Sequence, residues 1–496
     1  MQITNVPNVR LGLVAVSRDC FPRDLSQRRS AAIVDACRER GLDVILVSRM
    51  VESETDMLAA VQEATDAGAN ALCVFLGNFG PETPETLIAQ RFDGPCMYVG
   101  AAEGDGDLVG GRGDAYCGML NCSYNLGMRH IPAYIPEYPV GTAADIAQMM
   151  IDFVPVARVL LGLKGLKIIT FGPRPQDFFA CNAPIKGLYE LGVEIEENSE
   201  LDLLASFREH AGDPRIKDVA ADMAAEMGEG NYYPDLLDRL AQFELTLLDW
   251  AEAHKGARDY VAFADKCWPA FPKEFGFEPC YVNSRFASRG IPVSCEVDIY
   301  GALSEYIGAC ATLDAVTLLD INNTVPQQVY DEQIAGRYDY SLTDTFMGFH
   351  CGNTPSCKMC SNRTVHFQLI QHRLIEPEGS EPDITRGTLE GDIAPSPITF
   401  FRLQCDSEGE LRAYVAEGEV LDVRCESFGG IGAFGIHDMG RFYRHVLLEK
   451  RFPHHGAVAF DHVGKTLWSV FRFLGVKDIS YNQPKSLPYP TENPFA

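Results

Sequence analysis

The stretch PVSCEVD at residues 292–298 is an apolar run that ends in carboxylates, and AVTLLD at residues 315–320 is a second. The residues between them suffice for one helix, which we expect to begin near residue 299. A strand, a crossover helix and a second strand predict a parallel pair whose carboxyl ends meet at one edge of a sheet. We therefore expect Glu296 and Asp320 side by side where catalytic groups gather, although strand-end carboxylates also cap helices and loops.

Outward from this unit, short β-branched runs alternate with helical patterns over the first two thirds of the chain. The predicted strands lie at 9–16, 44–48, 71–76, 96–100, 167–171, 193–196 and 260–263. Helices are predicted between them, among them 27–40, 55–68 and 234–255. This alternation favours parallel α/β sheets. The strand at 167–171, which a Gly-Pro turn follows, would be the first strand of a second sheet and so predicts a domain boundary near residue 163.

The character of the sequence changes beyond about residue 330. Residues 398–405, a turn at 406–409 and residues 411–415 predict a β-hairpin. We therefore predict an α/β protein with two Rossmann-like α/β domains, at 1–162 and 163–329, and a β-rich, barrel-like C-terminal domain at 330–496. In this division Glu296 and Asp320 belong to the second domain.

The composition excludes several classes of function. The formal net charge of −27 repels phosphate backbones, so we expect no nucleic-acid partner. The N-terminus has no export pattern and no run of about 18 uncharged apolar residues occurs, so we expect neither secretion nor membrane insertion. The 16 cysteines stand in apolar contexts typical of buried thiols in a reducing compartment. A cytoplasmic protein is the expectation.

Histidines supply further candidate ligands. His350 lies in MGFHCGN at 347–353, on a predicted loop, and His455 lies in FPHHGAV at 452–458, at a predicted strand start. A histidine before glycine at a strand start can present one ring nitrogen to a metal while a second partner holds the ring. A structural role for His350 and a surface position for His455 are the alternatives.

A competing metal site would use Cys357 and Cys360, a CxxC pair that follows His350 and Cys351. Such a pair is half of a tetrahedral zinc site. The sequence has no second CxxC pair, so a structural zinc site is the weaker interpretation.

At these residues the chain resembles the L-fucose isomerase family. Asp320 follows Glu296 by 24 residues (320 − 296), the crossover length of that family's metal-binding glutamate and aspartate. The C-terminal pattern of the family, His-Gly, an apolar stretch and His-Val-Gly, is matched by His455-Gly456 and His462-Val463-Gly464.

The resemblance implies that Glu296, Asp320 and His455 bind a divalent cation, with Mn²⁺ as the first candidate. L-Arabinose isomerases are related and use a further histidine before a short segment, similar to residues 349–357 here, so His350 is implied as a fourth ligand or a substrate contact. The resemblance also implies that Arg18 reaches the sugar bound in a neighbouring subunit, and hence a homotrimer or a homohexamer.

The predicted function is metal-dependent aldose–ketose isomerisation of a free sugar of the L-fucose, D-arabinose or L-arabinose type through an enediolate. Glu296 and Asp320 are predicted to act both as ligands and as the acid/base pair, since carboxylates and neutral imidazole suit Mn²⁺. The alternative is a noncatalytic sugar-binding protein, because two α/β domains around a cleft also describe solute receptors.

Overall fold

The computed structural model describes residues 3–104, 106, 108–181, 184–493 and 495. By its contacts the chain divides into two compact units. The N-terminal unit comprises residues 7–161 with 465–475, and the main unit comprises the remainder. The finer division of the chain into three domains at 162 and 329 stays a prediction.

The N-terminal unit is built on one parallel sheet in the order β2-β1-β3-β4-β5. Its strands are β1 (Leu11–Val16), β2 (Val44–Leu46), β3 (Ala71–Leu76), β4 (Cys96–Ala101) and β5 (Val140–Gly141). Its helices are α1 (Arg23–Glu39), α2 (Glu54–Asp66), α3 (Glu82–Arg91), α4 (Ala115–Met128) and α5 (Ala143–Gly165), the last of which runs into the main unit. Strands β1, β3 and β4 are buried throughout, as expected for a parallel sheet covered on both faces.

Helix α5 is long and apolar enough to cross a membrane by length and composition alone, but 56% of its most apolar window is buried inside the protein. Core helices of globular domains have the same property. The helix therefore gives no support for a membrane protein.

The main unit begins with a second parallel sheet in the order β7-β6-β8-β9. Its strands are β6 (Leu166–Phe171), β7 (Glu194–Asn198), β8 (Tyr260–Asp265) and β9 (Val293–Cys295). The helices of this part are α6 (Lys186–Glu190), α7 (Glu200–Glu209), α8 (Ile216–Met227), α9 (Leu237–His254), α10 (Phe271–Phe275), α11 (Cys280–Ala287) and α12 (Ile299–Thr312). A phenylalanine cluster that includes Phe207, Phe243 and Phe275 packs in the core of this layer.

A large mixed sheet completes the main unit. Its strands are β10 (Val316–Asn323), β11 (Thr345–His350), β12 (Thr364–Phe367), β13 (Arg386–Asp392), β14 (Ser396–Cys405), β15 (Leu411–Val420), β16 (Gly430–Gly435), β17 (His455–Ala459) and β18 (Asp478–Tyr481). The short helices α13 (Gln327–Val329), α14 (Leu369–Ile375) and α15 (Met439–Phe442) lie between these strands, and α16 (Gly464–Phe473) runs into the N-terminal unit.

The mixed sheet closes on itself. Its order is β12-β13-β16-β11-β10-β17-β14-β15-β18, and β15 also pairs with β16, so β16, β11, β10, β17, β14 and β15 form a ring. The predicted hairpin is β14 and β15, paired from Cys405 and Leu411 outward. Two parallel α/β layers and a barrel-like β-rich layer confirm the predicted fold class.

One expectation about the site strands is wrong. Strand β9 lies at the edge of the second parallel sheet, whereas β10 belongs to the barrel and runs antiparallel to β11 and β17. The crossover helix α12 forms as predicted, but every residue from Ile299 to Ala311 is buried, because the helix packs against strands of both sheets. An apolar run fixes a strand but not the sheet that it joins.

Candidate active site

His455 and Asp320 meet because their strands pair. His455 is the first residue of β17 and stands directly opposite Asp320 of β10 in the antiparallel register. Gly456 is required beside it, since a Cβ there would lie 2.3 Å from the Phe400 ring. The prediction of a strand starting at His455 is confirmed.

Glu296 reaches the same place from the other sheet through an unusual backbone. Glu296 and Val297 follow β9 with φ angles of 62° and 57°, in the left-handed region. Such angles are rare for a β-branched residue such as Val297 and cluster at functional sites. The Val297 N–H donates to the Asp265 carbonyl at 3.0 Å and helps to hold this turn. The turn aims the Glu296 carboxylate toward the barrel.

The side chains of these residues converge on one nitrogen. His455 Nε2 lies 3.3 Å from Glu296 Oε2 and 3.3 Å from Asp320 Oδ1. Burial opposes ionisation of both carboxyls, but the His455 imidazole outweighs it and the pKa of each is lowered. The pKa of His455 is raised well above its usual value, because Asp298, Asp320 and Glu296 outweigh its own burial. The structure thus brings together Glu296, Asp320 and His455, the three residues that the sequence singled out.

The other ring nitrogen of His455 is held by a buried ion pair. His455 Nδ1 lies 2.9 Å from Asp298 Oδ2, and Arg402 of β14 donates to both Asp298 oxygens at 2.8 Å. Burial would raise the pKa of Asp298, but Arg402 and His455 lower it. Because Nδ1–H donates to the Asp298 carboxylate, Nε2 is the ring nitrogen left to face Glu296 and Asp320.

His350 is arranged in the opposite way. It is the last residue of β11 rather than part of a loop, and it is buried with its ring centroid 5.8 Å from that of His455. Its Nδ1 accepts the Cys351 N–H at 2.9 Å. Burial lowers the pKa of His350, so the ring is neutral and its proton lies on Nε2.

Sequence reasoning missed three functional side chains. Asp298 lies two residues after Glu296 and Arg402 interrupts an apolar strand, so each carried a weak signal. Trp268 carried none, yet its indole N–H donates to Glu296 Oε1 at 2.9 Å and leaves Oε2 facing His455. His454, the neighbour of His455, is half-buried with Nε2 3.8 Å from Asp320 Oδ1.

Arg18 belongs to the N-terminal unit. It follows β1, its backbone N–H donates to Asn78 Oδ1 at 2.9 Å, and its guanidinium lies over the Phe79 ring at 5.1 Å. The side chain is 39% exposed. Its part in a sugar site stays a prediction.

The CxxC pair gains no support as a zinc site. Cys357 is exposed and Cys360 partly buried. Among the groups of potential ligands in the part of the chain that the structure describes, none includes either residue.

The residues at the centre of the site fit a hard divalent cation. Asp320 Oδ1 is buried and, apart from His455 Nε2 at 3.3 Å, accepts no hydrogen bond from a described residue, so it can take a metal ion. Donors about 2.1 Å from an octahedral cation are about 3.0 Å from their neighbours, close to the 3.3 Å found between His455 Nε2 and each carboxylate. Cys181 lies near the same histidine, but its Sγ is 3.7 Å from Nδ1, the nitrogen that Asp298 occupies. The structure thus contains a group of residues that can hold a metal.

A cavity of about 210 Å³ opens beside these groups. Its polar lining includes Glu296, His350 and Gln368, and its apolar lining includes Trp268 and Ile370. A small polar molecule inside it would meet both a carboxylate and the His350 imidazole.

Comparison with known proteins agrees with this arrangement. The family model described as "Fucose/sulfoquinovose isomerase, N-terminal domain" matches residues 12–164, and that described as "L-fucose isomerase, C-terminal domain" matches residues 348–481. The sulfoquinovose isomerases of Priestia aryabhattai and Priestia megaterium are each 30% identical over 346 residues, 68% of this chain and 69% of theirs. A sulfoquinovose isomerase of Alkalicoccus urumqiensis is 25% identical over 334 residues, 63% of this chain and 64% of its own.

The chain belongs to the fucose/sulfoquinovose isomerase family. It is an aldose–ketose isomerase of carbohydrate metabolism. This finding confirms the predicted family and enzyme class and excludes the alternative of a noncatalytic sugar-binding protein.

Proposed function

We propose that this isomerase depends on a divalent cation bound by Glu296, Asp320 and His455. The observation that carries the proposal is the position of His455 Nε2, 3.3 Å from each of two carboxylates and turned toward them by Asp298. Mn²⁺ is the proposed ion, since it accepts both carboxylate oxygen and imidazole nitrogen.

When bound, the cation supplies Lewis-acid chemistry, polarising the sugar carbonyl and stabilising the enediolate. The protein supplies the proton transfer. A carboxylate of the pair Glu296 and Asp320 takes the proton from C2 of the aldose and returns it to C1, while O2 loses a proton and O1 gains one. Trp268 holds Glu296 Oε1, which keeps that carboxylate in one orientation during the transfer.

We assign His350 to the substrate rather than to the cation. A metal-binding Nε2 would need the proton on Nδ1, but Nδ1 already accepts the Cys351 N–H. The Nε2–H of a neutral His350 instead donates a hydrogen bond to a sugar oxygen in the cavity that it lines with Glu296.

The first candidate substrate is sulfoquinovose, because the relatives named above are sulfoquinovose isomerases. L-Fucose, D-arabinose and L-arabinose are the other candidates, from the resemblance of the site motifs. The cytoplasm is the proposed location of the reaction.

The test is a screen of these four sugars for ketose formation by chelator-treated protein with and without Mn²⁺. We expect turnover of one sugar, its loss on chelation and its recovery with Mn²⁺ better than with Ca²⁺, which prefers more oxygen ligands. A Glu296→Gln variant should lose about a thousandfold or more in kcat, whereas Cys357→Ser should retain activity. Full turnover in rigorously metal-free protein would contradict the proposed mechanism.

We further propose that the site is completed by Arg18 of another subunit in a homotrimer or homohexamer. Two inactive variants, Arg18→Ala and Glu296→Gln, are mixed under conditions that allow subunit exchange. Mixed interfaces then pair an intact Arg18 with an intact Glu296, so part of the activity should return. No recovery, with exchange demonstrated independently, would exclude a shared site.

A further inference from the structure

A second group of potential ligands, of different chemistry, lies behind the candidate active site. Asp265 ends β8, Cys295 ends β9 directly opposite it in the parallel register, and Cys267 follows two residues after Asp265. All three are buried, and one ligand atom from each lies within 4.8 Å of the other two. We call Asp265, Cys267 and Cys295 the thiol cluster.

Two buried carboxyl groups in this region, Asp265 and Glu278, have no cationic partner among the described residues. From the side chains that the structure describes, the Asp265 carboxyl group receives only long hydrogen bonds, from Asn283 at 3.3 and 3.5 Å. Glu278 lies nearby, buried, with Oε1 unpartnered. Among the described residues, neither carboxyl group forms an ion pair with Lys, Arg or His. Burial raises the pKa of Asp265 to about 7 and that of Glu278 well above its usual value. A bound metal ion would replace the protons of these carboxyl groups and supply the counter-charge that the protein itself does not.

The thiols are accessible from the active-site cavity. Cys267, Cys280, Cys295 and Glu278 line the same space of about 210 Å³ that Glu296 and His350 line. An ion that enters this cavity therefore meets both sulfur and the oxygen and imidazole donors.

We propose that Asp265, Cys267 and Cys295 bind one Zn²⁺, with the fourth tetrahedral position open to water from the cavity. Zinc takes thiolate at about 2.3 Å and carboxylate at about 2.1 Å, so its ligands lie about 3.6 Å apart. The cluster needs to contract only modestly from its 4.8 Å limit. Each thiol, and Asp265 where it is protonated, gives its proton to solvent as its bond to the metal forms, and no electron is transferred.

The two ion sites would be chemically distinct. Thiolates select zinc, whereas carboxylates and imidazole without sulfur accept Mn²⁺. The zinc would also brace the isomerase site, because Cys295 precedes Glu296 and Cys267 precedes Trp268, whose indole holds Glu296. The zinc proposal does not depend on the identity of the sugar or on the proposed Mn²⁺ ligands.

The test is X-ray absorption at the zinc edge on full-length protein that is first stripped of metal, then loaded with excess Mn²⁺ and one equivalent of Zn²⁺. We expect two sulfur neighbours at about 2.3 Å in the wild-type protein. A spectrum with only oxygen and nitrogen neighbours would overturn the proposal. This measurement needs no variant, so a misfolded mutant cannot obscure it.

Variants locate the sulfur atoms. Cys267→Ser/Cys295→Ser should lose the sulfur signal and weaken zinc binding at least tenfold, and Asp265→Asn should weaken binding with both sulfur neighbours retained. The matched control is Cys357→Ser/Cys360→Ser, which should bind zinc like the wild type. Sulfur neighbours that persist in the first variant and vanish in the control would place the zinc at the CxxC pair and overturn the proposal.

Discussion

Asp298 caps the N-terminus of helix α12, and Glu305 lies seven residues further on within it. Both carboxyl groups are buried, yet their environments shift their pKa values in opposite directions. Asp298 caps the helix by accepting the Gly301 N–H, and Arg402 and His455 lower its pKa against the effect of burial. Glu305, two turns further on, has a Ser294 hydroxyl at 2.6 Å, and burial raises its pKa to about 8.

The difference shows that charged partners, rather than burial, decide which buried carboxylate is an anion. A carboxylate that stays ionised can hold the proton of His455 on Nδ1, which frees Nε2 for a cation. A carboxylate that stays protonated cannot do this and acts as a polar part of the core. The candidate active site therefore lies at the N-terminal end of α12, where Arg402 contacts Asp298.

The largest effect is expected when Arg402 is removed. Arg402→Met leaves Asp298 buried with only His455 as a counter-charge, so we expect a loss of about 3–5 kcal/mol in the free energy of unfolding, measured by urea denaturation of metal-free protein. Arg402 also donates to the His455 carbonyl at 3.2 Å, so β17 should loosen as well.

The matched control for this variant is Arg444→Met. Arg444 pairs with Glu449 on the surface, where both side chains are exposed by 40% or more. A surface pair contributes about 0–1 kcal/mol, so the control should unfold like the wild type. Equal losses in the two variants would contradict the importance of the buried pair.

A smaller effect, on Mn²⁺ affinity rather than on stability, is expected from Asp298→Asn, in which the amide can still cap the helix. The neutral amide no longer fixes the proton on His455 Nδ1, so we expect Mn²⁺ affinity to fall about 10- to 100-fold. Calorimetric titration with Mn²⁺ measures this directly, and kcat at saturating Mn²⁺ should fall less than the affinity. Unchanged Mn²⁺ binding would mean that Asp298 serves α12 alone.

Much of this comparison was predictable from sequence in its parts. The strand, helix and strand around Glu296 and Asp320, the hairpin of β14 and β15 and the start of β17 at His455 all followed from local patterns. Hydrophobic periodicity and turn residues act over a few residues, which is why such elements can be inferred from one sequence.

The assembly of the site could not be inferred in the same way. The placement of Asp320 in the barrel depends on pairing with β11 and β17, which begin 25 (345 − 320) and 135 (455 − 320) residues further along the chain. The bond from Arg402 to Asp298 spans 104 residues and joins two sheets. Long-range packing decides such contacts, and no local pattern records which buried carboxylate will receive the arginine.

The smallest effect is expected at Glu305, where it appears as a change in how the free energy of unfolding varies with pH. The folded protein keeps the Glu305 proton up to a pKa of about 8, whereas the unfolded chain releases it near the usual 4.5. The stability that this group contributes is therefore fully present below about pH 4.5 and is lost as the pH rises through 8. Glu305→Gln cannot ionise, so the stability of the wild type relative to this variant should fall by on the order of 1 kcal/mol between pH 6 and pH 7. Urea denaturation at several pH values measures the difference, with the exposed Glu378→Gln as the control that should follow the wild type. Parallel stability curves for wild type and Glu305→Gln would show that Glu305 is ionised like Asp298, and the contrast between the two ends of α12 would then fail.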